Sequence, residues 1–192
     1  GGALEVPVFR RPRVSIIPSG SEIVPLMDAR EEDLRAGRVL PEFNSLIFSA
    51  MITEAGGEAA TLPVVPDDPE AIRAAIASAI ATVDMVILNA GSSAGSHDFT
   101  AHVLEQMGTV ITHGISVMPG KPTVLAVVDG KPVVGVPGYP VSAGISMEEF
   151  VLPLLALWQK RAMSERQKIT AVPCNPLPSR PGMEERMRVK LD

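Results

Sequence analysis

Four carboxylates stand at places where a strand-like run gives way to a loop. Glu22 follows the apolar run at 14–18, Asp67 and Asp68 follow the run at 59–65, and Asp98 follows the run at 85–88. Hard divalent cations such as Mg2+ take carboxylate and phosphate oxygens together, so acids in such positions suit a metal shared between protein and phosphate. Glycine-rich segments lie in the same places: Ser19-Gly20-Ser21-Glu22, the stretch 91–98, and Pro137-Gly138-Tyr139-Pro140. Glycine lets backbone N–H groups approach phosphate oxygens with no side chain in the way. Taken singly, each feature also has a plainer use. The loops serve as tight turns, Asp68 and Asp98 as helix N-caps, and Glu22 as a solvated turn residue.

Two better-known motifs fail. Gly91-Ser92-Ser93-Ala94-Gly95 is a literal G-x-S-x-G between a strand and a helix, as in the nucleophile elbow of a serine hydrolase. Such an enzyme needs an acid and then a histidine downstream, but the last histidine, His113, precedes Asp129. Asp98 with His102 or His113 keeps the order but lies too close to Ser93 in the chain. The stretch from Gly114 to Gly120-Lys121 is one residue too long for a P-loop, and Pro122 replaces the Ser or Thr that would hold Mg2+.

The elements that must position these loops are legible from periodicity. Residues 14–18 and 59–65 read as strands, and 85–88 is a continuous apolar run of the kind covered on both faces in a parallel sheet. From Asn44 or Ser45, either able to cap, apolar residues recur at helical spacing until Gly56-Gly57. Asp68 as N-cap, Pro69 in the first turn, and Ile72, Ile76, Ala79 and Ile80 on one face mark a second helix. Phe99, Val103, Leu104 and Met107 mark a third, ending at Gly108. Strands at 123–128 and 133–136 flank Asp129-Gly130, a tight-hairpin pair, with Pro132 placing the second at an edge or a strand start. A last helix runs over 141–158, where Pro153 predicts a kink.

Strands alternating with helices indicate crossover units. The predicted fold is therefore α/β: three layers, a mostly parallel sheet with helices on both faces, plus the start of a C-terminal β-domain. Residues 1–161 form the α/β domain in this reading, and 162–192 form a linker and an incomplete β-domain. The opening Gly1-Gly2 without Met reads as a cloning remnant or the interior of a longer chain.

With 17 Lys and Arg against 22 Asp and Glu, the formal charge is −5 and no basic block occurs, which argues against broad nucleic-acid or anionic-membrane binding. No uninterrupted apolar stretch approaches the ~20 residues of a bilayer span, the best candidate being 71–88. One cysteine, Cys174, precludes an internal disulfide framework and suits the cytoplasm.

Read in order, the loops resemble those of the molybdopterin molybdenumtransferases, the MoeA and gephyrin E-domain family. Ser19-Gly20-Ser21-Glu22-Ile23 is similar to that family's Thr-Gly-Asp-Glu-Leu, and Asp67-Asp68 stands where the family has an Asp pair after a strand. The segment 90–98 is similar to Gly-Gly-Val-Ser-x-Gly-x-x-Asp, carrying over Gly91, Ser93, Gly95 and Asp98. Pro119-Gly120-Lys121-Pro122 matches the Pro-Gly-Lys-Pro loop, and Pro137-Gly138-Tyr139-Pro140-Val141-Ser142 is similar to Pro-Gly-Asn-Pro-Val-Ser.

The resemblance implies a substrate, adenylylated molybdopterin, and Mg2+-dependent release of AMP as molybdate enters the dithiolene. It implies Glu22, Asp67, Asp68 and Asp98 as catalytic acids, with Glu22 and Asp98 as metal ligands. Substrate would be held by Gly20, Gly91, Ser93, Gly95, Lys121, Pro137, Gly138, Pro140 and Ser142. It also implies a protein that works as a homodimer through its intact parent, with the cytoplasm, suited by the single cysteine, as the default location. Met118 and Gly114 stand where the family usually has lysines, which leaves an alternative: a non-catalytic or sensory relative binding a pterin or molybdate-related ligand within a multidomain protein.

Overall fold

A computed structural model describes residues 2–89, 96–163, 168–177 and 179–190, with the backbone alone for residues 96–98. Its central sheet has six strands: β1 Arg13–Pro18, β4 Glu58–Thr61, β5 Met85–Asn89, β6 Thr109–His113, β8 Val124–Val128 and β9 Lys131–Val136. Two further pairs lie outside it, β2 Ile23–Pro25 with β3 Leu40–Glu42, and β7 Val117–Met118 with β10 Glu184–Glu185. The helices are α1 Glu31–Arg35, α2 Asn44–Glu54, α3 Pro69–Ile80, α4 Ser96–Met107, α5 Pro140–Ser146 and α6 Leu152–Trp158.

The central order is β4-β1-β5-β9-β8-β6, parallel from β4 through β9, with β8 antiparallel to both its neighbours. The expected three-layer α/β architecture is what the chain adopts. Alternation along the strands splits the core in two. Val14, Ile16, Met85, Ile87, Val134 and Val136 meet α2 and the α5–α6 helix on one face. Ile17, Val86, Leu88 and Val133 meet α3 and α4 on the other. A strand buried on both faces must be apolar at consecutive positions, and β5 is buried at all five.

The β8–β9 hairpin turns on Asp129 at φ 49° and Gly130 at φ 74°, both left-handed as a two-residue primed turn requires. Pro132 is the second residue of β9, ahead of the point where β9 begins pairing with β5, so its missing N–H costs that ladder nothing. Gly108, which ends α4, serves close approach rather than an unusual φ. A Cβ there would overlap the Val127 carbonyl oxygen and crowd the backbone at Val128. Gly108→Ala should therefore push α4 from β8 and cost about 1–3 kcal/mol, read as a lower urea midpoint.

The last helix differs from the sequence reading in an instructive way. Pro153 offers no N–H, and the chain absorbs the loss in a π-helical turn over Met147–Val151, where the Leu152 N–H donates to the Met147 carbonyl five residues back. Pro140–Trp158 spans 19 residues with mean hydropathy 1.4, long and apolar enough by length and composition to cross a bilayer. It corrects 71–88 as the best candidate, since that stretch divides into α3 and β5. Here Ala143, Met147, Val151 and Leu155 pack on the sheet.

The described part of the tail meets the α/β domain as β10, pairing with β7. Glu184 donates its N–H to the Ser116 carbonyl at 2.8 Å, and Arg186 donates its N–H to Met118 at 2.7 Å. The Arg186 side chain pairs with Glu149 at 2.6 Å.

Candidate functional site

Two adjacent strands, β1 and β5, send their following connections to opposite sides of the sheet: β1 leads toward β4, β5 toward β6. In open α/β sheets that divergence leaves a crevice at the carboxyl ends of the strands, where ligands bind. A cavity of about 330 Å³ lies there, lined by Pro18, Ser19 and Asn89 at the strand ends and by Gly138, Tyr139 and Pro140 after β9. Ile23, Leu40, Pro41, Glu42 and Phe43 close its remaining side. That wall is the β2–β3 pair, which was invisible to a reading of the sequence because each strand has only three residues. Ser19 donates its N–H to the Asn89 carbonyl at 2.9 Å, locking the two strand ends together at the floor.

Asn44 completes the lining and was missed as a site residue. The sequence offers Asn44 or Ser45 as the cap of α2, but neither caps it. The Glu42 carboxylate instead accepts the Ser45 N–H at 2.9 Å and the Ser45 hydroxyl at 3.1 Å. Asn44 is thereby released to face Asn89 and Gly138, donating from Nδ2 to the Gly138 carbonyl at 2.8 Å and to Asn89 Oδ1 at 3.4 Å. It is 6% exposed, and its Oδ1 is buried without a hydrogen-bond partner. An orphaned buried acceptor costs about 1–3 kcal/mol, so Asn44 Oδ1 calls for a donor that a bound water or a ligand would supply. A polar residue closing an otherwise apolar strand, Asn89 after Met85-Val86-Ile87-Leu88, was the available sequence signal.

The structure separates the two neighbouring aspartates. Asp68 accepts the Ala71 N–H at 2.8 Å as the N-cap of α3, the plainer of its two uses. Asp67 reaches back to the loop after β1, taking the Ser21 N–H on Oδ2 at 3.3 Å while its Oδ1 is buried without a partner. Asp67 and the segment bearing Gly20, Ser21 and Glu22 are thus brought together, with the Gly20 N–H bound to the Val65 carbonyl at 3.0 Å. Gly20 is buried, and a side chain there would strike Ile23.

Of the remaining candidates, Gly138 and Pro140 line the cavity, and Pro137 is buried behind them. Ser142 accepts from the Ser146 hydroxyl at 3.0 Å through its carbonyl, inside α5. Lys121 is exposed on the loop between β7 and β8 and is not part of the cavity lining. Gly91, Ser93, Gly95 and the side chain of Asp98 lie outside the described residues. Among the described residues no three His, Cys, Asp or Glu side chains gather as a metal cluster.

A second cavity, about 430 Å³, opens at the other end of the sheet between Phe9, Arg10, Asp84, Lys131 and Trp158. It is larger, but its polar groups are already engaged. Arg10 grips both Asp84 oxygens at 2.5 and 2.6 Å, Lys131 donates to the Ile80 carbonyl at 2.6 Å, and Lys160 sits 5.3 Å from the Phe9 ring centre. Hydrogen bonds from Arg10 hold the Asp84 carboxyl below the ordinary carboxylate range against the opposing effect of burial, with the Arg13 N–H assisting. A depressed carboxyl stabilises the fold fully above its unfolded pKa, about 4, and that contribution disappears as pH falls through the lower folded value. Asp84→Asn should accordingly lower the urea midpoint at pH 7 with m unchanged, and the gap from the unsubstituted protein should close in strong acid.

A three-layer α/β domain with its cavity at the switch between β1 and β5 is a ligand-binding domain of the doubly wound class. Residues 15–157 match the family described as "Probable molybdopterin binding domain", and the chain belongs to that family. It is 32% identical over 155 residues to the molybdopterin molybdenumtransferase of Nostoc, covering 79% of this chain and 34% of that protein. It is 29% identical over 200 residues to molybdopterin molybdenumtransferase 2 of Mycobacterium tuberculosis, covering 100% of this chain and 47% of the relative. The crystal structure of a molybdopterin biosynthesis MoeA protein from Pyrococcus horikosii superposes with a TM-score of 0.71 at 37% identity, over 79% of this chain and 36% of that one. The chain therefore spans a third to a half of the length of these relatives.

Proposed function

We propose that this domain serves molybdenum cofactor biosynthesis as part of a molybdopterin molybdenumtransferase, binding adenylylated molybdopterin in the cleft between β1 and β5. Family membership carries the reading, supported by a cavity at the switch point whose lining includes residues of two of the loops that resemble the transferases, Ser19 and Ile23 after β1 and Gly138–Pro140 after β9. The Ser19–Glu22 and Gly138–Pro140 loops frame the substrate, and Asn44 and Asn89 form the polar floor.

The acids at the strand ends fit a hard cation in kind. Asp67 keeps a buried carboxylate oxygen unpartnered beside the loop that carries Glu22, and both present oxygen donors. Glu22 and Asp67, with Asp98 by resemblance, would hold Mg2+, which when bound neutralises phosphate charge as AMP leaves. Asp67 is oriented by the Ser21 N–H, and Asp68 fixes the start of α3 on which that loop ends. Lys121 would meet anionic parts of the substrate from outside the cavity.

The parent protein is proposed to act as a cytoplasmic homodimer, with 162–192 leading toward a further β-domain. Assay of the intact parent with adenylylated molybdopterin, Mg2+ and molybdate should show AMP release, and Asp98→Asn should abolish it with folding unchanged. Full activity in that variant would remove Asp98 from the reaction. Residues 1–192 alone should turn over weakly, because they span under half the length of the transferases they resemble.

One observation favours the second reading, a binding relative without turnover. Gly114 adopts φ 92°, a conformation in which the lysine usual in the family would be strained. Tight binding of adenylylated molybdopterin by the intact parent with no AMP release would select it.

A further inference from the structure

The cavity between β1 and β5 is lined by uncharged polar groups, the Glu42 carboxylate and apolar surface, and no Lys, Arg or His is among its described lining residues. Phosphate, or molybdate, would find no cation there. Pro18, Ile23, Pro41, Phe43 and Pro140 instead offer broad apolar walls, suited to the faces of a planar ring. At one end, Asn44 holds its Nδ2 on the Gly138 carbonyl at 2.8 Å, so the amide orientation is fixed and Oδ1 is the acceptor left over. Two residues earlier, Glu42 adds a carboxylate whose Oε1 is committed to Ser45.

We infer that Asn44 is a specificity residue of this cleft, its Oδ1 accepting an N–H from the exocyclic amino group of a planar heterocycle, while the anionic part of the same ligand lies outside the cavity. The inference rests on the molybdopterin reading, under which that heterocycle is the pterin, whose aminopyrimidinone edge presents adjacent N–H donors. Asn44 Oδ1 is buried, so the ring meets it only where the cavity wall yields. Tyr139, 68% exposed at the rim, has room to move. Replacing the ring's amino group by an oxo group would set two acceptors against each other in a buried site, which binding sites reject strongly.

The test is fluorescence titration of the full chain with pterin and with lumazine, the analogue carrying an oxo group in place of the 2-amino group. Pterin should bind at least tenfold more tightly than lumazine. Asn44→Ala should weaken pterin tenfold or more, leave lumazine within about twofold, and so erase the preference. Inorganic phosphate at millimolar concentration should not displace pterin. The preference of the unsubstituted protein is read without any variant, so a failure of Asn44→Ala to fold leaves the inference open to refutation. Equal binding of the two rings, or pterin binding undiminished in a folded Asn44→Ala, overturns the role of Asn44 while leaving the molybdopterin reading standing. Absence of any pterin binding, with adenylylated molybdopterin also unbound, overturns both.

Discussion

Asp67→Asn in the intact parent protein lowers molybdate-dependent AMP release by about a hundredfold or more, the scale for loss of one preorganised electrostatic group at a reacting centre. The fold survives, because asparagine keeps the size of the side chain and an oxygen for the Ser21 N–H, now held at 3.3 Å. What disappears is the negative charge on a carboxylate that has one oxygen buried without a partner. Its neighbour behaves oppositely. Asp68→Asn leaves activity within about twofold, since asparagine caps helices as well as aspartate, and Asp68→Ala costs about 1 kcal/mol of stability through loss of the 2.8 Å cap to Ala71. Steady-state AMP release and urea unfolding, measured on the same three variants, separate the roles. Equal activity of Asp67→Asn and the unsubstituted protein would remove Asp67 from the chemistry.

Phe48→Ala is expected to cost about 3–5 kcal/mol, a large share of the stability of any domain this size. Phe48 has no exposed surface and is among the largest fully buried side chains. It packs with Ile52, Val14, Ile16 and Met85 in the core beneath one face of the sheet. It also lies one helical turn beyond Asn44 on α2, so the cavity it leaves loosens the residue that forms the polar floor of the cleft. Ligand affinity should fall along with stability, and Phe48→Leu should recover most of both. A loss below about 1 kcal/mol by urea unfolding would mean that α2 is anchored elsewhere.

Much of the scaffold was legible because long apolar runs leave few choices. Val14 to Pro18 and Met85 to Leu88 can be buried on both faces only as central strands. Asp68-Pro69-Glu70 marks the start of α3 by capping chemistry that depends on those residues alone. The short pieces were not legible. Neither the β2–β3 pair nor β7 and β10 carries enough residues for a period, and each exists because a neighbouring backbone offers hydrogen bonds across long sequence separations. The strand at 59–65 proved shorter than expected: pairing ends at Thr61 and resumes as a single Ser19 to Val65 bridge, so the chain bends outward into the Asp67 loop.

The site was legible in part for the same reason. Loop chemistry singled out Gly138 and Pro140, which line the cavity, and Asp67, which turns to the loop after β1, since glycine, proline and aspartate are marked by their own type and place in the chain. Asn44 was taken for a helix cap, and the competing partner that displaced it, Glu42, stands on a strand too short to foresee. Which of two adjacent aspartates caps and which turns to the loop likewise depends on the position of Ser21, a contact 46 residues away in sequence.

The most direct test of the account is a crystal structure of this chain with adenylylated molybdopterin bound. The pterin should lie between Pro18 and Ser19 on one side and the Gly138–Pro140 loop on the other, with an N–H within hydrogen-bond distance of Asn44 Oδ1. Ligand density in the cavity between Phe9 and Trp158, at the opposite end of the sheet, with the β1–β5 cleft unchanged, would contradict it.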